Sequence, residues 1–262
     1  MNNPIYFAFS LTLLAGLCTG VGSILSLLYK KFNPKFLGAM LGLSAGVMLY
    51  VSFVEIINKA RISLIAEMGN KLGSIYTVIG FFTGILAIIL IDKLIPHKHE
   101  QQSIESNHTE DQKLYRLGIF SALALAIHNF PEGLATFMSA LNDPSYGISI
   151  AFAVAVHNIP EGIAVAVPIY YATKSRKKAF WYSFLSGLAE PVGAVVGYFI
   201  LKQFFHESIF GIIFSAVAGI MVYISLNELI PTAKEYAGQK ITMTGVLIGM
   251  FIMAISLLLF IN

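Results

Sequence analysis

Eight apolar runs of about 20 residues recur along this chain, and none has a Lys or Arg in its interior. A run of that length and polarity crosses the hydrocarbon core of a bilayer as a helix. The spacing predicts spans at about 5–29, 37–56, 72–92, 114–139, 147–171, 179–201, 208–230 and 242–261. Only 12% of the 262 residues are charged, against roughly a quarter in soluble domains. The expected fold is therefore all-α and integral to the membrane, a single polytopic domain over 1–262. The first run lacks a basic leader, and Leu17 before Cys18 spoils a lipoprotein cleavage site, so 5–29 reads as a retained span. One cysteine allows no disulfide within the chain.

The basic residues orient the spans. Thirteen of them, Lys93, Lys174 and Arg176 included, fall on one side, and Lys59, Arg61, Lys71 and Lys202 fall on the other. That asymmetry puts the first side in the cytoplasm, with a polar loop over 95–113 that carries His97, His99 and His108. Both termini are then extracytoplasmic and the location is the cell membrane. The net charge of +3 comes from these loops, so it does not point to nucleic acid.

Spans one to three repeat as spans six to eight. Ala45-Gly46-Val47-Met48-Leu49-Tyr50 and Ser52 to Glu55 resemble Ala218-Gly219-Ile220-Met221-Val222-Tyr223 and Ser225 to Glu228, at an offset of 173. Gly16-Leu17 and Val21-Gly22 match Gly187-Leu188 and Val192-Gly193 at 171, and Ile79-Gly80 matches Ile248-Gly249 at 169. Partners five spans apart cross in opposite directions. The expectation is an inverted repeat around the antiparallel pair of spans four and five, an architecture of secondary transporters.

Spans four and five carry a second duplication. His128-Asn129-Phe130-Pro131-Glu132-Gly133 returns as His157-Asn158-Ile159-Pro160-Glu161-Gly162. A His and a Glu four residues apart share one helix face. Glu190 lies near the centre of span six. Three unpaired carboxylates at mid-membrane cost about 2.5–3.5 kcal/mol each if ionised. The spans hold no cation to neutralise them, so they are protonated or meet a cation from solution. Two neighbouring imidazoles favour the cation, and the donor set suits zinc, iron, manganese, cobalt or cadmium without ranking them. Asn129 and Asn158 point partly sideways, towards a second ion that would share Glu132 and Glu161 and be completed by Glu190. Pro131 and Pro160 free the carbonyls of Ile127 and Val156, which suits a cavity wall. A helix-to-helix hydrogen-bonding clamp is the competing structural role for these residues.

Three functions remain open on this ligand set: a divalent-metal transporter, an integral-membrane metalloenzyme using the same His/Glu site, and a metal sensor. Only the first requires the inverted repeat. No activated Ser or Cys sits nearby, and His-x-x-x-Glu is not the zinc-protease order, so no enzyme is expected.

At these residues the chain resembles the ZIP family of divalent metal-ion transporters, closest to its bacterial zinc transporters. The twin motifs and Gly187-Leu188-Ala189-Glu190 carry the resemblance, which covers essentially the whole chain. It implies uptake of zinc and related ions into the cytoplasm through a paired-metal site. His128, Glu132, His157 and Glu161 match the first site, and Asn129, Glu132, Asn158, Glu161 and Glu190 match the second. Met48 matches a residue beside the site in some relatives. Spans one, four, five and six would move against the rest. The metal is cargo, and no cofactor is expected. The expected partners are divalent metal ions and lipid. The oligomeric state stays open, a homodimer included. Glu55 and Glu228, near opposite membrane faces, would be entrance and exit carboxylates or simply interfacial residues. The series Gly38, Gly42, Gly46 marks a smooth packing face.

Overall fold

The computed structural model describes residues 4–28, 33–94, 110–201 and 207–259, with helices throughout and no strand among them. The loop histidines His97, His99 and His108 lie outside the described residues. Helix α1 is Pro4–Leu28 and α2 is Pro34–Tyr50, started by Pro34 and an Asn33 side chain that accepts from the Phe36 N–H. A π-helical turn, Val51–Ile56, leads without a break into α3, Ile57–Leu94. Next come α4, Glu110–Asn142, and α5, Pro144–Thr173. Then α6, Arg176–Gly187, and α7, Ala189–Leu201, are followed by α8, Glu207–Ile224. A second π-helical turn, Ser225–Leu229, leads into α9, Ile230–Leu259. Among the described residues, five continuous helical stretches are long and apolar enough to cross a membrane: Pro4–Leu28, Pro34–Ile91, Pro144–Thr173, Arg176–Ile200 and Ser208–Leu258.

Two of those stretches, of 58 and 51 residues, are far longer than one crossing needs. Each is divided by a glycine outside helical geometry, Gly69 at φ 79° in α3 and Gly238 at φ 75° in α9. Only glycine takes such a φ without strain. After Gly69 the chain doubles back, because a Cβ on Gly73 would lie 2.6 Å from the Ile65 nitrogen. The predicted loops at 57–71 and 231–241 are thus largely helical. Hydropathy marks where a helix leaves the hydrocarbon, not where it stops. The polar residues Asn58, Lys59 and Arg61 simply continue the turn pattern into water.

Each π-helical turn contains a serine that bonds back into the preceding helix. Ser52 Oγ donates to the Met48 carbonyl at 2.6 Å, and Ser225 Oγ to the Met221 carbonyl at 2.8 Å. Ser139 and Ser215 make the same bond within unbroken α-helix, so the bond accompanies these turns without setting them.

Glycines let the helices meet backbone to backbone, and the contacts come in matched pairs. A Cβ on Gly46 would fall on the carbonyl oxygen of Val246, and one on Gly219 on that of Phe81. Gly38 abuts Ala233 and Ala237, while Gly211 abuts Ala60 and Leu64. Gly22 lies on Ile159, and Gly193 on Phe130. Within each pair the residues of spans one and two map onto six and seven at 171 and 173. In the third pair of spans the packed residues correspond at 165 (Phe81 to Val246, Gly84 to Gly249), one helical turn from the sequence match at 169. Phe81 lies twelve residues beyond Gly69 and Val246 only eight beyond Gly238, a difference of one helical turn.

Candidate metal site

The α4–α5 hairpin sets the depth of the site. Asp143 is the whole turn: its carboxylate accepts from the Ser145 and Tyr146 N–H groups, and Pro144 opens α5. At 1.5 Å per residue, Glu132 lies roughly 16 Å and His157 roughly 21 Å from that turn. This is around the middle of a bilayer core about 30 Å thick.

Glu132, Asn129, His157, Asn158, Glu161 and Glu190 are all buried. His128 lies in α4, and its side chain is outside the described residues. His157 Nε2 lies 3.0 Å from Glu132 Oε1, joining the two motifs across the helix interface. Asn158 Nδ2 donates to Glu190 Oε1 and, at 2.9 Å, to the Ala15 carbonyl. Asn129 Nδ2 donates to the Ser186 carbonyl at 3.2 Å. Ala15 and Ser186 stand 171 apart, so the two asparagines make matching backbone contacts. Their oxygens do not: Asn129 Oδ1 and Asn158 Oδ1, with Glu132 Oε2 and Glu190 Oε2, are buried and make no hydrogen bond. Acceptor oxygens in this condition suit a cation, since each leaves a lone pair unmatched. No three His, Cys, Asp or Glu side chains among the described residues converge on one point. The candidate ligands meet in pairs, His157 with Glu132 and Asn158 with Glu190.

Glu190 owes its place to a break that hydropathy does not register. Pro191 has no N–H for the Gly187 carbonyl, and the helix is interrupted at Leu188. Glu190 then sits in the first turn of α7, where helix N–H groups favour a carboxylate. Gly133 permits the approach, since a Cβ there would fall on the Glu190 backbone; Gly162 meets the Thr19 backbone in the same way.

Ser44 was not among the sequence candidates. It is fully buried in α2, and its hydroxyl lies 3.5 Å from Glu161 Oε1 and 3.4 Å from the His157 carbonyl. Nothing in the surrounding Gly/Ala pattern marks it. Met48, one turn further, is also fully buried. Glu55 lies in the first π-helical turn and is half-buried. One turn on, the Lys59 ammonium sits 4.4 Å from the centre of the Tyr146 ring. Glu228 lies in the second π-helical turn and lines a cavity of about 50 Å³ with Leu37, Leu41 and Pro168. A smaller cavity, about 10 Å³, adjoins Glu132 at the other end of α2, lined by Val51, Ile56 and Val217.

Residues 92–257 match the family model described as ZIP Zinc transporter. The chain is 61% identical over 267 residues to "Zinc transporter ZupT" of Chlorobium chlorochromatii, covering 99% of this chain and 100% of that protein. It is 62% identical over 267 residues to the protein of the same description from Chlorobaculum parvum, at the same coverage. It is 56% identical over 264 residues to that of Streptococcus mutans, covering all of both chains. With a family model matched over most of its length and relatives alike from end to end, this chain belongs to the ZIP zinc transporter family.

Proposed function

We infer that this chain takes up zinc across the membrane, through a site built where α4 and α5 meet α7. It is a transporter and not an enzyme, as its family membership and relatives of zinc-transporter description support. The observation that carries the site is the 3.0 Å contact of His157 with Glu132 at the middle of two helices whose interiors hold no Lys or Arg. Zinc binds imidazole and carboxylate together. The same donors accept iron(II), manganese, cobalt and cadmium, with selectivity set by geometry and supply.

The site is a paired one in this reading. His128, Glu132, His157 and Glu161 hold the first ion; Asn129, Asn158 and Glu190 hold a second that shares Glu132 and Glu161. The separation of contacts into His157 with Glu132 and Asn158 with Glu190 supports that division. The helices form eight spans as an inverted repeat around α4 and α5. The matched glycine contacts and the two π-helical turns support it. The termini face outside and the 95–113 loop faces the cytoplasm, as the basic residues indicate.

The test is zinc entry into sealed vesicles holding the purified protein and a zinc-sensitive dye. Entry above that of empty vesicles, lost in a well-inserted Glu161→Gln variant, is the expected result. Wild-type protein that binds zinc yet admits none would overturn transport in favour of a sensor.

A further inference from the structure

We propose that Ser44 is a positioning residue of the metal site, holding the Glu161 carboxylate from α2 and making the two repeated carboxylates unequal. The proposal rests on the transporter reading above. Of the buried serines, Ser52, Ser139, Ser215 and Ser225 follow one habit and donate to the carbonyl four residues earlier, whereas Ser183 bonds the Thr19 and Gly162 carbonyls of other helices. Ser44 does not follow it. Its hydroxyl leaves its own helix and reaches the His157 carbonyl at 3.4 Å and Glu161 Oε1 at 3.5 Å. One proton serves both acceptors, which lie one turn apart on α5. A serine needed only for close packing gains nothing from such a contact, because alanine fills the same space.

The repeat supplies a comparison inside the same molecule. At the offset of 173 that relates span two to span seven, Ser44 corresponds to Val217. Val217 is buried and lines the small cavity beside Glu132. Glu132 and Glu161 are themselves counterparts in the twin motifs. The hydroxyl therefore reaches one carboxylate, while a hydrocarbon shares a cavity with the other. Glu132 meets His157 instead. A carboxylate with one oxygen steadied by a hydroxyl presents the other in a fixed plane, and partners behind a ligand typically govern affinity by about 10–100-fold.

The experiment measures zinc entry into vesicles against zinc concentration for the wild type, Ser44→Ala and Ser44→Thr, with zinc binding by calorimetry alongside. Ser44→Ala should raise KM and weaken binding by about tenfold, at the low end of that range, with the maximal rate little changed. Ser44→Thr keeps the hydroxyl and should restore both. If Ser44→Ala is not recovered folded, Ser44→Cys keeps the volume with a weaker donor and should show the same loss. Wild-type KM and affinity in Ser44→Ala would overturn the proposal. So would equal loss in Ser44→Ala and Ser44→Thr, which marks packing. These outcomes differ from failure of the transporter reading, in which wild-type vesicles themselves admit no zinc.

Discussion

Gly16 of α1 and Gly187 of α6 face each other so closely that a Cβ on either would fall on the carbonyl oxygen of the other. They are also counterparts in sequence at the 171 offset. The contact brings α1 against α6 just before the break that presents Glu190. Gly16→Ala should destabilise by about 1–3 kcal/mol, the usual range for overpacking. Gly69 offers a control: nothing lies within 4 Å of its Cβ position, and only its φ of 79° is lost to alanine. Gly69→Ala should cost about 1 kcal/mol. Thermal unfolding in detergent should rank Gly16→Ala below Gly69→Ala; the opposite order would contradict the close contact.

Charge removal should test the two carboxylates proposed to be shared. Glu132→Gln and Glu161→Gln keep the side-chain shape and remove one negative charge each. Uptake at subsaturating zinc should fall by at least about tenfold in either variant. Near-normal uptake by well-inserted Glu161→Gln protein would remove it from the ligand set.

Binding should expel protons. Zinc needs neutral imidazole and ionised carboxylates, so affinity falls as pH falls and protons are released on binding. Calorimetry at pH 6 in buffers of different ionisation enthalpy counts them. A count of zero would contradict a His/Glu site.

Orientation can be read at the two turns that flank α5. Asn142 and Lys177 are both exposed. On a background in which Cys18 is replaced by Ser, Asn142→Cys should react with impermeant thiol reagents in intact cells. Lys177→Cys should react only after the cells are opened. The reverse pattern would invert the topology.

Glu190 distinguishes one ion from two. If it completes the second position with Asn158, Glu190→Ala should lower bound zinc from two ions towards one, by equilibrium dialysis. Complete loss of binding would mean a single site closed by Glu190, and an unchanged count of two would exclude Glu190 as an essential ligand.

Much of this was legible in the chain because hydrocarbon is an unforgiving solvent: runs, charges and intramembrane carboxylates stand out against it. The helical extensions after Ile56 and Ile230 were not, since hydropathy falls at the membrane surface while helix formation does not. The interruption at Leu188 had a signal in Pro191 that the apolar run around it obscured. The one-turn difference between Gly80 and Gly84 as the partner of Gly249 is a packing choice, and both glycines suit it. The His157–Glu132 contact joins two helices, whereas spacing within one helix fixes only which face each residue occupies. Ser44 had no signal, because one hydroxyl among glycines and alanines reads as a small residue.

The unbonded oxygens of Asn129, Glu132, Asn158 and Glu190 carry a consequence for how this sequence can change. Each buried acceptor without a donor weakens the fold by about 1–3 kcal/mol. Leucine or methionine at such positions would relieve that burden, so selection for robustness alone would drift towards a quieter, greasier bundle. The native sequence is held away from its own stability optimum by the traffic it handles, and a mutant that melts at a higher temperature is the one to suspect of having gone silent.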